Sequence, residues 1–166
     1  MCPSKTSDLT QLRARLRPGE RLLGLDVGAK TVGIAVSDGR LNLATPVSTL
    51  RRRKLKDDVA ALQALIETRN VGGLIVGLPV NMDGTEGPRC QSVRQFAENI
   101  GRSIDLPMAF WDERLSTAAV ERSLIAQDVS RRRRETVIDA HAAAYILQGA
   151  LDRLHGMAEE ERDRDG

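Results

Sequence analysis

The chain has 166 residues, 41% of them hydrophobic and 2% aromatic, with a formal net charge of +2. That length favours one domain able to bury a sizeable core, no window approaches the roughly 18 consecutive apolar residues of a spanning helix, and Cys2 and Cys90 make neither a disulfide framework nor a metal-ligand spacing. A soluble protein of a reducing cytoplasm, with no secretory leader, is expected; its charge is clustered, basic in 51–54 and 131–134 and acidic in 159–161.

Residues 1–20 mix Ser, Thr, Pro and Arg around a weak stripe of Leu9, Leu12 and Leu16, and read as a loosely attached arm or a short helix. Strands are predicted over 21–27, 31–37 and 41–49, joined by gaps short enough for antiparallel hairpins. Leu55, Val59, Leu62 and Ile66 mark an amphipathic helix over 54–69 with its charged positions facing water. The unalternating run Gly73-Leu74-Ile75-Val76-Gly77-Leu78 fits a strand buried on both faces, parallel and central. A glycine-rich loop follows over 79–88, and Pro88 suits the first turn of a helix carrying Val93, Phe96, Ala97 and Ile100. A further strand covers 107–111. Ser116 or Thr117 would cap a helix to about Gln127, and a last helix runs from about 136 to 155. The order βββαβαβαα predicts an α/β fold, a mixed five-stranded sheet flanked by helices. Its domain spans 21–155, followed by an acidic tail over 156–166.

Three acids fall where such a sheet would bring them together. Asp26 ends an apolar strand, Leu22-Leu23-Gly24-Leu25-Asp26-Val27, where a desolvated carboxylate costs several kcal/mol unless cations or donors compensate it. Glu113 lies just past the last strand. Asp139 falls on the packing arc of the last helix with Ala143, Ile146, Leu147, Ala150 and Leu154, opposite His141, Gln148, Asp152 and His155. Hard oxygen donors suit Mg²⁺ or Mn²⁺, and two such ions roughly 4 Å apart can hold both oxygens of a phosphodiester displacement. Metal-assisted phosphodiester hydrolysis is the chemistry expected. Against it stand a turn hydrogen bond for Asp26, a salt bridge from Glu113 to Arg114 and a helix N-terminal role for Asp139. Asp38 and Asp112 read as ordinary turn or strand-end residues.

Gly24-Leu25-Asp26-Val27-Gly28 with Gly33-Ile34-Ala35-Val36-Ser37-Asp38, Gly77-Leu78-Pro79, Asn81-Met82-Asp83-Gly84-Thr85-Glu86-Gly87, Asp112-Glu113-Arg114-Leu115-Ser116-Thr117 and Asp139-x-x-Ala142-Ala143 together resemble the YqgF, or RuvX-type, family over about residues 21–152. The resemblance implies a ribonuclease H-like fold, a cytoplasmic role in maturing the precursor of 16S ribosomal RNA, and kinship with Holliday-junction resolvases. By motif it makes Asp26, Glu113 and Asp139 the catalytic, metal-binding acids. The arm before Glu20 lies outside it, and Cys90 stands where a small residue is expected.

Candidate nucleic-acid contacts surround these acids. They are Lys30 in the turn after Asp26, Asn81, Gly84 and Thr85 in the loop before a helix N-terminus, Arg114, and Arg131, Arg132, Arg133 and Arg134 upstream of Asp139. Arg51 to Lys54 read equally as a solvated helix start. Gly33 and Ala35 share a strand face that could admit substrate or pack tightly. So few aromatics argue against a base-stacking platform and for recognition of folded RNA through its phosphates. His141 and His155 read as surface residues, not zinc ligands. A metal-dependent nuclease on structured RNA is the leading reading. A resolvase of branched DNA and a non-catalytic pre-ribosomal RNA-binding factor are the alternatives, while a sugar-kinase or actin-like ATPase would need two such domains. Oligomeric state is not legible.

Overall fold

The computed structural model describes residues 8–115 and 131–165, apart from the side chains of 131–139 and 165. The chain opens with helix α1 (Leu9–Arg15), whose N-cap Asp8 accepts the Gln11 amide at 2.8 Å. Leu12 on this helix is wholly buried, so the N-terminal stripe forms the short helix and docks; burying such a side chain contributes roughly 1.5–3 kcal/mol.

Strands β1 (Arg21–Val27), β2 (Thr31–Ser37) and β3 (Ala44–Arg51) form an antiparallel meander. Helix α2 (Leu55–Thr68) crosses to β4 (Val71–Leu78), and α3 (Pro88–Gly101) crosses to β5 (Met108–Asp112). Both crossovers return parallel, giving the sheet order β3-β2-β1-β4-β5. This is the mixed five-stranded sheet flanked by helices expected from the sequence, with β4 wholly buried. A 3-10 turn, Glu113–Leu115, follows β5, and helix α4 occupies Arg131–Asp165. The helix expected from Ser116 or Thr117 lies outside the described residues. None of the described helices is long and apolar enough to cross a membrane.

Strand alternation sends side chains to opposite faces. Leu23, Leu25, Ile34, Leu74 and Val76 pack against α2 and α3 through Val59, Leu62, Val93 and Phe96. Leu22, Ala35, Ile75 and Trp111 pack with Leu12 and with Ile146, Leu147, Leu151 and Leu154 of α4. Ala35 therefore serves tight packing. Gly24 seats the helix: a β-carbon there would lie 2.7 Å from Leu147 Cβ and 3.0 Å from the Ala143 carbonyl oxygen. Since Leu151 and Leu154 share a cluster with Leu12 near the start of β1, α4 runs antiparallel to β1, and its earlier turns lie toward Asp26.

Three expectations are corrected. β3 begins at Ala44, not 41, because the Asp38 carboxylate accepts the Asn42 and Leu43 amides at 2.7 and 2.9 Å and Leu41 adopts φ 59°, which widens the turn. Those amides hold the Asp38 carboxyl below its usual range. Not every charge on α2 faces water: Asp58 is buried and accepts the Arg53 amide at 3.0 Å, an acid in the first turn where the helix dipole favours one. The last helix extends well beyond 136–155 at both ends.

Candidate active site

Asp26 and the α4 face share one side of the sheet. Asp26 is two residues beyond Gly24 on β1, hence on the same face, and only 6% exposed. Its antiparallel partner is Gly33, and the next partner outward is Thr49. On the other flank, Leu25 pairs with Val76, so the residue of β4 beside Asp26 is Gly77. Gly77 in turn pairs with Trp111, two residues before Glu113.

A β-carbon on Gly77 would lie 3.0 Å from Glu113 Oε1 and 2.5 Å from Ile146 Cδ1. The Glu113 carboxylate thus rests over Gly77, one strand away from Asp26, and neighbouring strands are only about 4.8 Å apart. Two of the three predicted acids are therefore brought together at the carboxyl ends of β1 and β4. The backbone of Asp139 lies in α4 one turn before Ala143; its side chain is outside the described residues. Among the described residues no three His, Cys, Asp or Glu side chains form a metal-holding group. Asp38 sits at the opposite end of β2 from Gly33, so it is remote from Asp26 and serves its turn.

From Glu113 a cleft of about 430 Å³ runs along Pro79, Asn81 and Met82 to Pro88 and Arg89. It lies outside the carboxyl end of a parallel strand, where open α/β sheets bind ligands. Pro88 occupies the first turn of α3, as expected, and the N-cap Gly87 supplies no side-chain cap. The loop closes on itself: Asn81 N–H donates to the Thr85 carbonyl at 2.9 Å, Asn81 Nδ2 to Thr85 Oγ1 at 3.1 Å, and Thr85 Oγ1 to the Asp83 carboxylate at 2.6 Å. Gly84 takes φ 90°, where a side chain would be strained. Asn81 thus lines the cleft, while Gly84 and Thr85 shape the loop behind it and do not line it, and Met82 is 89% exposed at its rim.

Arg114 pairs with Asp112, not Glu113. Its Nε and Nη2 donate to both Asp112 oxygens at 2.7 to 3.1 Å, and its Nη1 reaches the Met82 carbonyl at 3.4 Å. The guanidinium holds the Asp112 carboxyl below its usual range. Arg114 accordingly fastens the 79–87 loop to the end of β5, and Asp112 is part of that fastening. An Arg114→Lys change removes the planar fork. It should leave the melting temperature within about 4 °C, since exposed pairs contribute about 0–1 kcal/mol, yet speed amide exchange across 79–87. Unchanged exchange by mass spectrometry would show that the loop needs no such fastening.

Lys30 is exposed in the turn directly after β1. Arg131 to Arg134 occupy the first turn of α4, but their side chains are outside the described residues. His155 Nε2 lies 2.8 Å from the Leu41 carbonyl oxygen, an exposed contact far from the acids. Gly77 is the residue whose role sequence reasoning passed over, and a glycine following Leu74-Ile75-Val76 immediately before the loop was the available signal for it.

The family model described as RuvX, Holliday junction resolvase, matches residues 20–153. The chain belongs to the RuvX family. Within it, a protein of Paramagnetospirillum magneticum named "Putative pre-16S rRNA nuclease" is 56% identical over 148 residues, covering 89% of this chain and 96% of that one. One of the same name from Roseobacter denitrificans is 54% identical over 156 residues, covering 93% and 96%. Among solved structures, Thermus thermophilus RuvC in complex with Holliday junction substrate aligns at TM-score 0.49 and 12% identity over 82% of this chain and 96% of that one. The RuvX match includes all three candidate acids and the 79–87 loop.

Proposed function

We propose that this chain is a cytoplasmic nuclease that trims the 5′ end of the 16S ribosomal RNA precursor, with Mg²⁺ or Mn²⁺ held by Asp26, Glu113 and Asp139. The observation that carries this reading is the buried Asp26 beside a Glu113 carboxylate that rests on a residue without a side chain, at the strand ends. Two carboxylates so close repel each other and favour a cation between them. Carboxylate oxygens are the donors hard divalent ions prefer, so the residues present fit the ion.

When bound, such an ion supplies a Lewis acid for a phosphoryl oxygen and lowers the pKa of bound water. The chain's own contribution is rigidity and exclusion of alternatives. Asp26 lies in a paired strand, Glu113 is held over Gly77, and the cleft from Glu113 to the N-terminus of α3 accepts the anionic backbone. The names carried by relatives above half identity support RNA as the polymer.

Purified protein with Mn²⁺ should cleave a 5′-extended 16S precursor fragment and lose that activity in EDTA. A four-way DNA junction under the same conditions should survive. Comparable cleavage of the junction would move the assignment to branched DNA, and inertness toward both with Mn²⁺ and Mg²⁺ would support a non-catalytic RNA-binding factor.

A further inference from the structure

The basic run at 51–54 reads ambiguously in the sequence, but the sheet places it. Arg51 pairs with Thr31 at the open end of β2, and the Arg52 amide donates to the Lys30 carbonyl at 2.8 Å. The end of β3 therefore lies beside the turn that follows Asp26. Thr49 shares Asp26's row through Gly33, so Arg51, two residues on, lies on the Asp26 face. It is two strands from β1, roughly 10 Å at about 4.8 Å per strand.

Within this run the side chains divide. Arg52 turns away, its guanidinium 4.9 Å from the Phe96 ring centroid and its Nη1 donating to the Gly28 carbonyl at 2.8 Å. That bond and the Arg53 amide to buried Asp58 hold the segment rigid. Lys30, Arg51, Arg53 and Lys54 are exposed, and among the described residues none has an ion-pair partner. Lys54 also takes the N-cap of α2 without a capping side-chain bond, where Ser, Thr or Asp would stabilise the helix. Like charges held together at a local cost, beside an anion-processing site, call for an anionic partner.

We infer that Lys30, Arg51, Arg53 and Lys54 form a phosphate-binding track that carries the nucleic-acid flank on the β2–β3 side of the acids, opposite the 79–87 cleft. This rests on the nuclease reading and extends it. The substrate crosses the sheet end from β5 to β3, so the protein grips the polymer on both sides of the reacting bond. Grip of this kind is through phosphates, independent of sequence and strongly salt-dependent.

The test is binding of a labelled RNA hairpin bearing the 5′ precursor extension, in EDTA, across a salt series. The combined variant Arg51→Gln, Arg53→Gln, Lys54→Gln should bind about 10- to 100-fold more weakly, with the log–log salt slope reduced by about two to three. A control removes the same charge from exposed residues at the other end of the sheet, Arg13→Gln, Arg15→Gln, Arg17→Gln, and should keep the wild-type slope. Melting curves check that both variants are folded. If wild type cuts RNA but the first variant binds like wild type, or both variants lose affinity equally, the track is overturned and the nuclease reading stands. If wild type neither binds nor cuts, both fall.

Discussion

Asp26→Asn is expected to lower metal-dependent cleavage by a factor on the order of 10³ or more, because a catalytic metal supplies several kcal/mol of charge stabilisation and each 1.36 kcal/mol is tenfold in rate. The same change should leave the metal-free melting temperature within about 4 °C of wild type. Asp26 is 6% exposed on the face of β1 that α4 covers, and an amide of the same shape keeps that packing while removing the charge a metal needs. This pairing of effects separates a functional acid from a structural one. A carboxylate whose role was to bond its turn would, on replacement, cost stability and leave the chemistry to others. The decisive comparison is thermal melting in EDTA against the single-turnover rate in Mn²⁺. Undiminished cleavage removes Asp26 from the site, and a melting temperature lowered by about 4 °C or more, which for a chain of this size is at least 1 kcal/mol, assigns it to the fold.

Gly77→Ala should have the second largest effect, of order 10² on the rate, since misplacing a reacting group by about 1 Å can cost that much. The added methyl would stand 2.5 Å from Ile146 Cδ1 and 3.0 Å from Glu113 Oε1. Crowding of this kind typically destabilises by about 1–3 kcal/mol. The two collisions can be pulled apart. Ile146→Val deletes the Cδ1 atom, so the double variant should recover most of the stability yet remain impaired, its carboxylate still displaced. Full recovery of cleavage in the double variant would mean that the helix contact, not the position of Glu113, governs the rate.

Periodicity made most elements legible: β1, β2, β4, α2 and the Pro88 start of α3 all follow from runs of apolar residues and a proline with few acceptable positions. Other features depend on side chains that propensity does not see. The start of β3 is decided by Asp38 reaching forward to two amides. The ends of α4 carry no apolar stripe, and past Leu154 charged residues dominate, with Arg153 and Glu160 paired at 3.4 Å. In the candidate site, Asp26 and Glu113 could be named from position alone, but their nearness rests on pairing register, Leu25 with Val76 and Gly77 with Trp111. Register is set by the whole sheet. Arg114 belonged on any list of cations near the acids; that it grips Asp112 follows from strand-end geometry visible only in three dimensions.

The way α4 closes the molecule bears on when the enzyme can exist at all. Its Gln148 accepts the Ala44 amide across 104 residues, and His155 meets the Leu41 carbonyl across 114. Contacts this distant in sequence form late, because loop closure precedes their reward. A chain emerging from the ribosome therefore lacks its helix-covered sheet until residues 143–155 of α4 have been made. The face of the sheet that carries Asp26 is covered only after every strand has been synthesised.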